Sequence, residues 1–164
     1  MMKLKTHKCI IRPFCREDFN YAKTWLNDST VMQFIEPVMD DETIKAFLKT
    51  YCLIENPPLF AIEDRETQEA IGHVIFHQLE SEDVGDHLKT YEMGCILRQS
   101  AQKQGIGREV SEALIEYGFR TLALKRIVAY AIPHNTAAIH LLTDLGFTVK
   151  MQDQDLIEFE LVYH

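Results

Sequence analysis

What the sequence lacks narrows its function first. Its four cysteines, Cys9, Cys15, Cys52 and Cys95, include no Cys-x-x-Cys pair. This argues against a disulfide framework and against a zinc site, so reduced thiols and no metal are expected. No apolar run approaches the roughly 18 residues of a membrane-spanning helix, and the opening "MMKLKTHKCIIRPF" has no long apolar signal core. The expected address is therefore the cytoplasm, with no membrane partner. Basic residues are outnumbered: 17 Lys and Arg against 25 Asp and Glu leave a net charge of -8. A polyanion such as nucleic acid needs basic surface, so it is excluded as a partner, and a cationic partner suits the balance better. Repeats, low-complexity tracts and linkers are all missing, so residues 1–164 are expected to form one domain. What remains, 46% hydrophobic and 26% charged residues, is the composition of a folded globular chain. The acids gather in "MDDE" (39–42), "ESEDVGD" (80–86) and "DQDLIEFE" (153–160).

Periodicity predicts the elements. Strands are expected at residues 8–12, 59–64, 70–78, 91–97 and 126–132, and in "FTVKM" and "LIEFELV" near the end. Apolar residues at helical spacing predict helices over 18–26, 41–54 and 108–121, with a short one in "NDSTVMQFI". Asn135 is a candidate N-cap for a further helix, and Gly146 its C-cap. Segments 59–64 and 70–78, joined by a polar turn, form a hairpin. Strand 91–97, a helix and strand 126–132 form a crossover with a parallel pair. The class is mixed α/β, with a mostly antiparallel sheet of about seven strands, a central parallel pair and flanking helices. Trp25, Met32 and Phe34 read as core before acceptor-pocket wall. His73 and His77, four residues apart on one strand, stand too far apart to share an ion.

The stretch "YEMGCILRQSAQKQGIGREV" stands out in so acidic a chain. Between residues 93 and 108 there is no acid, while Arg98, Lys103 and Arg108 surround Gly105 and Gly107. A glycine loop entering a helix N-terminus exposes unpaired backbone N–H groups at the positive end of the helix dipole, which makes an anion site. A P-loop would place Lys and Ser or Thr after the second glycine, where Arg108 and Glu109 stand. A dinucleotide fingerprint would need a third glycine where Val110 stands. Neither pattern fits.

"QKQGIG" (102–107), after a strand carrying "YEMGCIL" and one crossover before "NTAAIHLLTDLGF", resembles the GNAT acetyltransferase superfamily. "IIRPFCREDFNYAKTWLND" near the start is similar to its RimJ/RimL branch, which acetylates ribosomal-protein N-termini. The resemblance implies the GNAT fold with a splayed parallel pair, and acetyl-CoA as cosubstrate. It assigns cofactor binding to Cys95, Ile96, Leu97, Arg98, Gln102, Lys103, Gln104, Gly105, Ile106, Gly107, Arg108 and Asn135. It makes Glu92 the general base for a primary amine, which at pH 7 is mostly protonated. The amine is a peptide N-terminus first, a small polyamine or amino sugar second, attacking directly without a covalent enzyme intermediate. The family's proton donors to the leaving thiolate are replaced by Ala138 and Leu142, with Tyr130 and His134 as possible substitutes. Those replacements keep a non-catalytic acyl-CoA-binding module as the alternative. The acceptor is expected to meet Glu36, Asp40, Asp41, Asp153 and Asp155, and the protein to be a monomer or homodimer.

Overall fold

The short apolar runs in "CIIR" and "LFAIED" give two strands whose buried residues meet. Strand β2 (Cys9–Arg12) pairs antiparallel with β3 (Leu59–Asp64), placing Ile11 opposite Ile62, and both side chains are fully buried. The computed structural model describes residues 2–79 and 89–163, so the acidic stretch at 80–86 lies outside the described residues. The remaining strands are β1 (Leu4–Lys5), β4 (Ala70–Gln78), β5 (Thr90–Leu97), β6 (Arg126–Ala131), β7 (Thr148–Gln152) and β8 (Ile157–Val162). Hydrogen bonding orders them β1-β2-β3-β4-β5-β6-β8-β7. The sheet thus has eight strands where about seven are predicted, because the two residues of β1 are too few for alternation to show. The predicted hairpin is β3–β4, and the predicted parallel pair is β5–β6.

The chain divides into two units, and β4 and β5 each contribute to both. Residues 1–75 and 95–110 form one; residues 76–94 and 111–164 form the other. In the first, helix α1 (Phe19–Leu26) buries Ala22, Trp25 and Leu26, a short α2 (Ser29–Met32) buries Val31 and Met32, and α3 (Asp41–Tyr51) buries Ile44 and Leu48. These side chains share a core with Phe14, Met39, Leu59 and Ile96. Trp25 and Met32 are therefore core, while Phe34 is half-buried. Helix α3 stops three residues short of the predicted end, since the amides of Cys52 and Leu53 both take the Leu48 carbonyl, at 3.0 and 2.7 Å. A buried carboxylate locks the entry to α1: Asp18 accepts two hydrogen bonds from the Arg12 guanidinium, at 2.8 and 2.9 Å, and one from the Cys15 amide at 2.9 Å. Burial alone would raise the Asp18 pKa, but these donors outweigh it and the net shift is downward.

Trp25 also explains a buried histidine. Its indole Nε1–H donates to Nδ1 of His73 at 2.9 Å, and His73 is 3% exposed. Burial lowers the His73 pKa to about 4. The sign follows from linkage: unfolded His73 takes a proton near 6.5 while the folded ring resists to about 4, so stability is full above 6.5 and lost as pH falls through that window. The slope from this one group is about 1.4 kcal/mol per pH unit. We predict that His73→Gln, whose side-chain carbonyl can still accept from Trp25, removes this increment. The check is a pair of urea titrations from pH 7 to 4; equal pH slopes in wild type and variant would contradict it.

In the second unit, β6 pairs antiparallel with β8 along its whole length, and β8 with β7. Ile127, Val128 and Ala129 are all buried, as expected for a strand covered on both faces, while Tyr130 is 39% exposed. Helix α5 (Thr136–Asp144) starts where Asn135 Oδ1 accepts the Ala138 amide at 3.3 Å. The C-cap is Leu145, and Gly146, predicted as the cap, follows one residue later at φ +95°. Leu142 of α5 is buried, and Ala138, Leu141 and Leu145 beside it are partly so.

Candidate active site

The glycine loop is shaped by its backbone. Lys103 and Gly105 both have left-handed φ, +62° and +78°. Chain of this handedness forms the concavities in which successive N–H groups converge on an anion. Helix α4 (Ile106–Glu116) begins two residues earlier than predicted, because the Gly105 carbonyl already accepts the Glu109 amide at 3.0 Å. Gly107 thus lies inside the first turn, and the amides of Ile106 and Gly107 precede the first intrahelical acceptor. Gly105 is exposed and has no atom within 4 Å of the position a Cβ would take.

Several predicted binding side chains hold the loop itself. Gln102 Nε2 donates to the Leu97 carbonyl at 3.0 Å, and Gln104 Nε2 to the Ser100 carbonyl at 2.7 Å. Lys103 and Arg108 are exposed on the loop surface. Arg98 donates its backbone N–H to Ile71 at 2.8 Å, and its Nη1 lies 3.2 Å from Glu69 Oε2. Its Nε is buried without a hydrogen-bond partner. Sequence reasoning missed the anchor of the loop. Glu109, in the first turn of α4, accepts from Thr6 Oγ1 at 2.6 Å and from the Lys8 amide at 2.8 Å, and Lys8 Nζ donates to the Gln104 carbonyl at 3.2 Å. An acid that would repel an anion is thereby turned away and used as a strap.

Strand β5 carries the remaining predicted residues. It pairs in parallel with β6 from Thr90–Arg126 to Glu92–Val128, then continues to Leu97 beyond the last pair. On its other side Leu79 bonds to Thr90 and Arg98 to Ile71, so β4 and β5 run antiparallel. Its buried residues are Thr90, Met93 and Ile96, a spacing of three rather than the period of two of a flat strand. Cys95 is half-buried, and burial pushes its thiol up to about 12. Such a thiol is a poor nucleophile at neutral pH. Gly72 of β4 is required by this strand: a Cβ there would collide with the Ile96 carbonyl. Backbone cannot swing aside, so Gly72→Ala should cost about 1–3 kcal/mol, read as a Tm fall of roughly 2–4 °C per kcal/mol. An unchanged Tm would contradict the close approach.

Glu92 extends from the last paired position of β5, with its side chain 25% exposed, and its Oε1 lies 3.4 Å from His77 Nε2. Nδ1 of the same ring lies 3.1 Å from the Gln78 carbonyl. The two histidines of β4 therefore serve different partners, His73 the indole and His77 the carboxylate. Among the described residues no three His, Cys, Asp or Glu side chains are arranged to hold a metal ion.

A family model for the acetyltransferase (GNAT) domain matches residues 8–148. The chain belongs to the GNAT acetyltransferase family. It is 31% identical, over 88% of its length and 82% of the relative's, to the uncharacterized N-acetyltransferase YnaD of Bacillus subtilis (strain 168). It is 25% identical to the spermidine N(1)-acetyltransferase of Escherichia coli (strain K12), over 88% and 75% of the two chains. Among solved structures, a GNAT-family acetyltransferase from Bacillus anthracis superposes with a TM-score of 0.85 at 23% identity, covering 98% of each chain. The spermidine N-acetyltransferase from Vibrio cholerae in complex with CoA and spermine gives 0.75 at 19% identity, covering 94% and 95%.

Within this GNAT acetyltransferase, the candidates for protonating a leaving thiolate are few. Leu142 is buried and Ala138 half-buried, and neither can donate a proton. Tyr130 donates its hydroxyl to Glu158 Oε1 at 3.0 Å, and burial, reinforced by Glu158, raises its pKa to about 12. A phenol that holds its proton so tightly is a weak acid for a thiolate of ordinary pKa about 8.5. His134 is exposed on the loop after β6. Three acids expected to meet the acceptor have local tasks. Asp40 Oδ1 caps α3 through the Thr43 amide at 2.8 Å, Asp41 pairs with Lys23 at 3.1 Å, and Asp153 Oδ1 accepts the amides of Asp155 and Leu156 at 2.7 and 2.9 Å. Glu36 is exposed. A cavity of about 910 Å³ opens in the first unit between the entry to α1 and the end of α3, among Phe14, Arg16, Phe19, Lys49 and Ile54. It contains none of the predicted site residues.

Proposed function

We propose that the protein transfers the acetyl group of acetyl-CoA to a primary amine, residues 1–164 acting as one acetyltransferase domain. The observation that carries this reading is the exposed loop at the start of α4, where left-handed Lys103 and Gly105 lead into amides without intrahelical acceptors. A diphosphate is the anion that such a row of donors fits, and the exposed Lys103 and Arg108 add charge where acids are missing. Gln102 and Gln104 shape the loop from within, Arg98 offers its buried unpaired Nε, and Asn135 caps α5. Past the last β6 pair, the Cys95 backbone and the Leu97 amide are the groups that would hold an extended ligand by strand-like hydrogen bonds, since the Leu97 carbonyl accepts from Gln102 and the Ile96 carbonyl lies against Gly72. Bound there, the thioester supplies an electrophilic carbonyl.

The amine must lose a proton before it attacks. Glu92 is the base of this reading: partly exposed, on the same strand and three residues before Cys95. Cys95, with its raised pKa, supports direct attack over an acyl-cysteine route. The thiolate leaves unaided and takes its proton from water, since Leu142 and Ala138 cannot supply one; the hydroxide so formed takes the remaining N–H proton of the adduct.

For the acceptor, the relationship to a spermidine N(1)-acetyltransferase and the net charge of -8 favour a polyamine. The RimJ/RimL likeness of the first helical segment favours a peptide N-terminus as the second reading. Thiol release from acetyl-CoA, measured with spermidine, spermine, an amino sugar and short peptides, separates them. Release is expected to be fastest with a polyamine. Release with none, in protein that binds CoA, would replace the enzyme with a non-catalytic acyl-CoA-binding module.

A further inference from the structure

We infer that His77 is the proton-holding partner of Glu92, so that the base of this acetyltransferase is a carbonyl–imidazole–carboxylate chain. The inference rests on the assignment of Glu92 as base and gives that base a second member. Nδ1 of His77 lies 3.1 Å from the Gln78 carbonyl, an acceptor only, so Nδ1 carries a hydrogen. In the neutral ring the lone pair is then on Nε2, 3.4 Å from Glu92 Oε1. Two lone pairs facing each other repel unless a proton lies between them. The pair therefore stores one proton, and the Gln78 carbonyl fixes which nitrogen takes it.

The proton count follows. The resting imidazolium, a third exposed, first releases its stored proton to water; an ammonium acceptor then loses its N–H proton to the Glu92 carboxylate, and Glu92 passes it to the vacated Nε2. The amine ends neutral, the carboxylate is restored, and no other reactant is needed. The charged groups that face the pair come from the neighbouring strands. Tyr130 of β6 feels the charge of Glu92 and donates to Glu158 of β8. Farther along the row, Lys150 stands 3.7 Å from Glu158 and Arg126 stands 4.0 Å from Glu160. The contact itself agrees with an upward shift of His77, led by its hydrogen bond to Glu92 and opposed by burial.

The test uses the whole chain in two measurements. Histidine ring ¹H–¹⁵N NMR titration without substrates should show a His77 midpoint above 6.5, a neutral form protonated on Nδ1, and a fall of the midpoint in Glu92→Gln. An unchanged midpoint in that variant, or an Nε2–H neutral form, overturns the pairing. The second measurement is the pH profile of kcat/KM with a polyamine. In His77→Gln, which keeps a donor toward Glu92 but cannot titrate, the acid limb should move toward the ordinary carboxylate range near about 4.3. The rate at pH 7 should fall about tenfold, within the span of general-base effects. His77→Phe, which loses the donor too, should fall further. A limb that stays in place in both variants while rates drop leaves His77 a packing residue and overturns the inference. Failure of the base assignment is read separately: if Glu92→Gln turns over normally, the pair persists by NMR but has no catalytic role.

Discussion

Replacing Glu92 with Gln is expected to lower kcat/KM for the amine by about 10²–10⁴, the range that removal of a general base usually costs. The amide is isosteric, so β5 and its pairing through Thr90–Arg126 to Glu92–Val128 should be kept. CoA affinity should therefore hold within about twofold, less than 0.5 kcal/mol. The loss should be seen in kcat as well as in kcat/KM, because proton removal is required only on the way to the transition state. It should shrink as pH rises toward the amine's own pKa of about 10.4, where solution supplies the neutral nucleophile. Steady-state thiol release from pH 6 to 10 checks this. Wild-type rates at limiting amine would remove Glu92 from the chemistry.

Gly107→Trp is expected to weaken CoA binding by about 10²–10⁴. Gly107 lies in the first turn of α4, immediately after the left-handed Gly105 and the buried Ile106. An indole there stands over the amides of Ile106 and Gly107 and excludes a diphosphate from both. Each charge-assisted hydrogen bond is worth about 1.5–3 kcal/mol, so the loss of two gives about 3–6 kcal/mol, which converts to that range of Kd. The substitution replaces glycine with a better helix former in a first turn and removes no core contact, so Tm should move little. Calorimetric titration with CoA, alongside a thermal melt, separates the effects. Wild-type Kd in a folded variant would contradict the loop assignment.

How much of this was legible from sequence depends on which atoms fix each feature. The loop was legible because Gly105 occupies a backbone conformation that glycine favours, so the requirement is visible as residue type. Lys103 adopts a similar φ, yet nothing in a lysine announces it. The strands from β2 onward and the parallel pair followed from short apolar runs bounded by polar turns and from the crossover rule, whereas β1 was too short to leave a pattern. Cross-strand partners were hidden. That His77 faces Glu92, that Glu109 turns to Thr6 and Lys8, and that Gly72 admits the Ile96 carbonyl all depend on register or on loop packing. The period of a single strand does not contain its register against a neighbour. Gln102 and Gln104 were legible as loop residues, but their amides are directed to the Leu97 and Ser100 carbonyls, a choice set by loop closure.

The most direct test of the account is a crystal structure of the full chain with acetyl-CoA bound. The account predicts diphosphate oxygens within hydrogen-bond distance of the backbone amides at residues 105–107, and the pantetheine arm alongside residues 95–97. A diphosphate bound elsewhere, with those amides facing solvent or side chains of the protein, would contradict it.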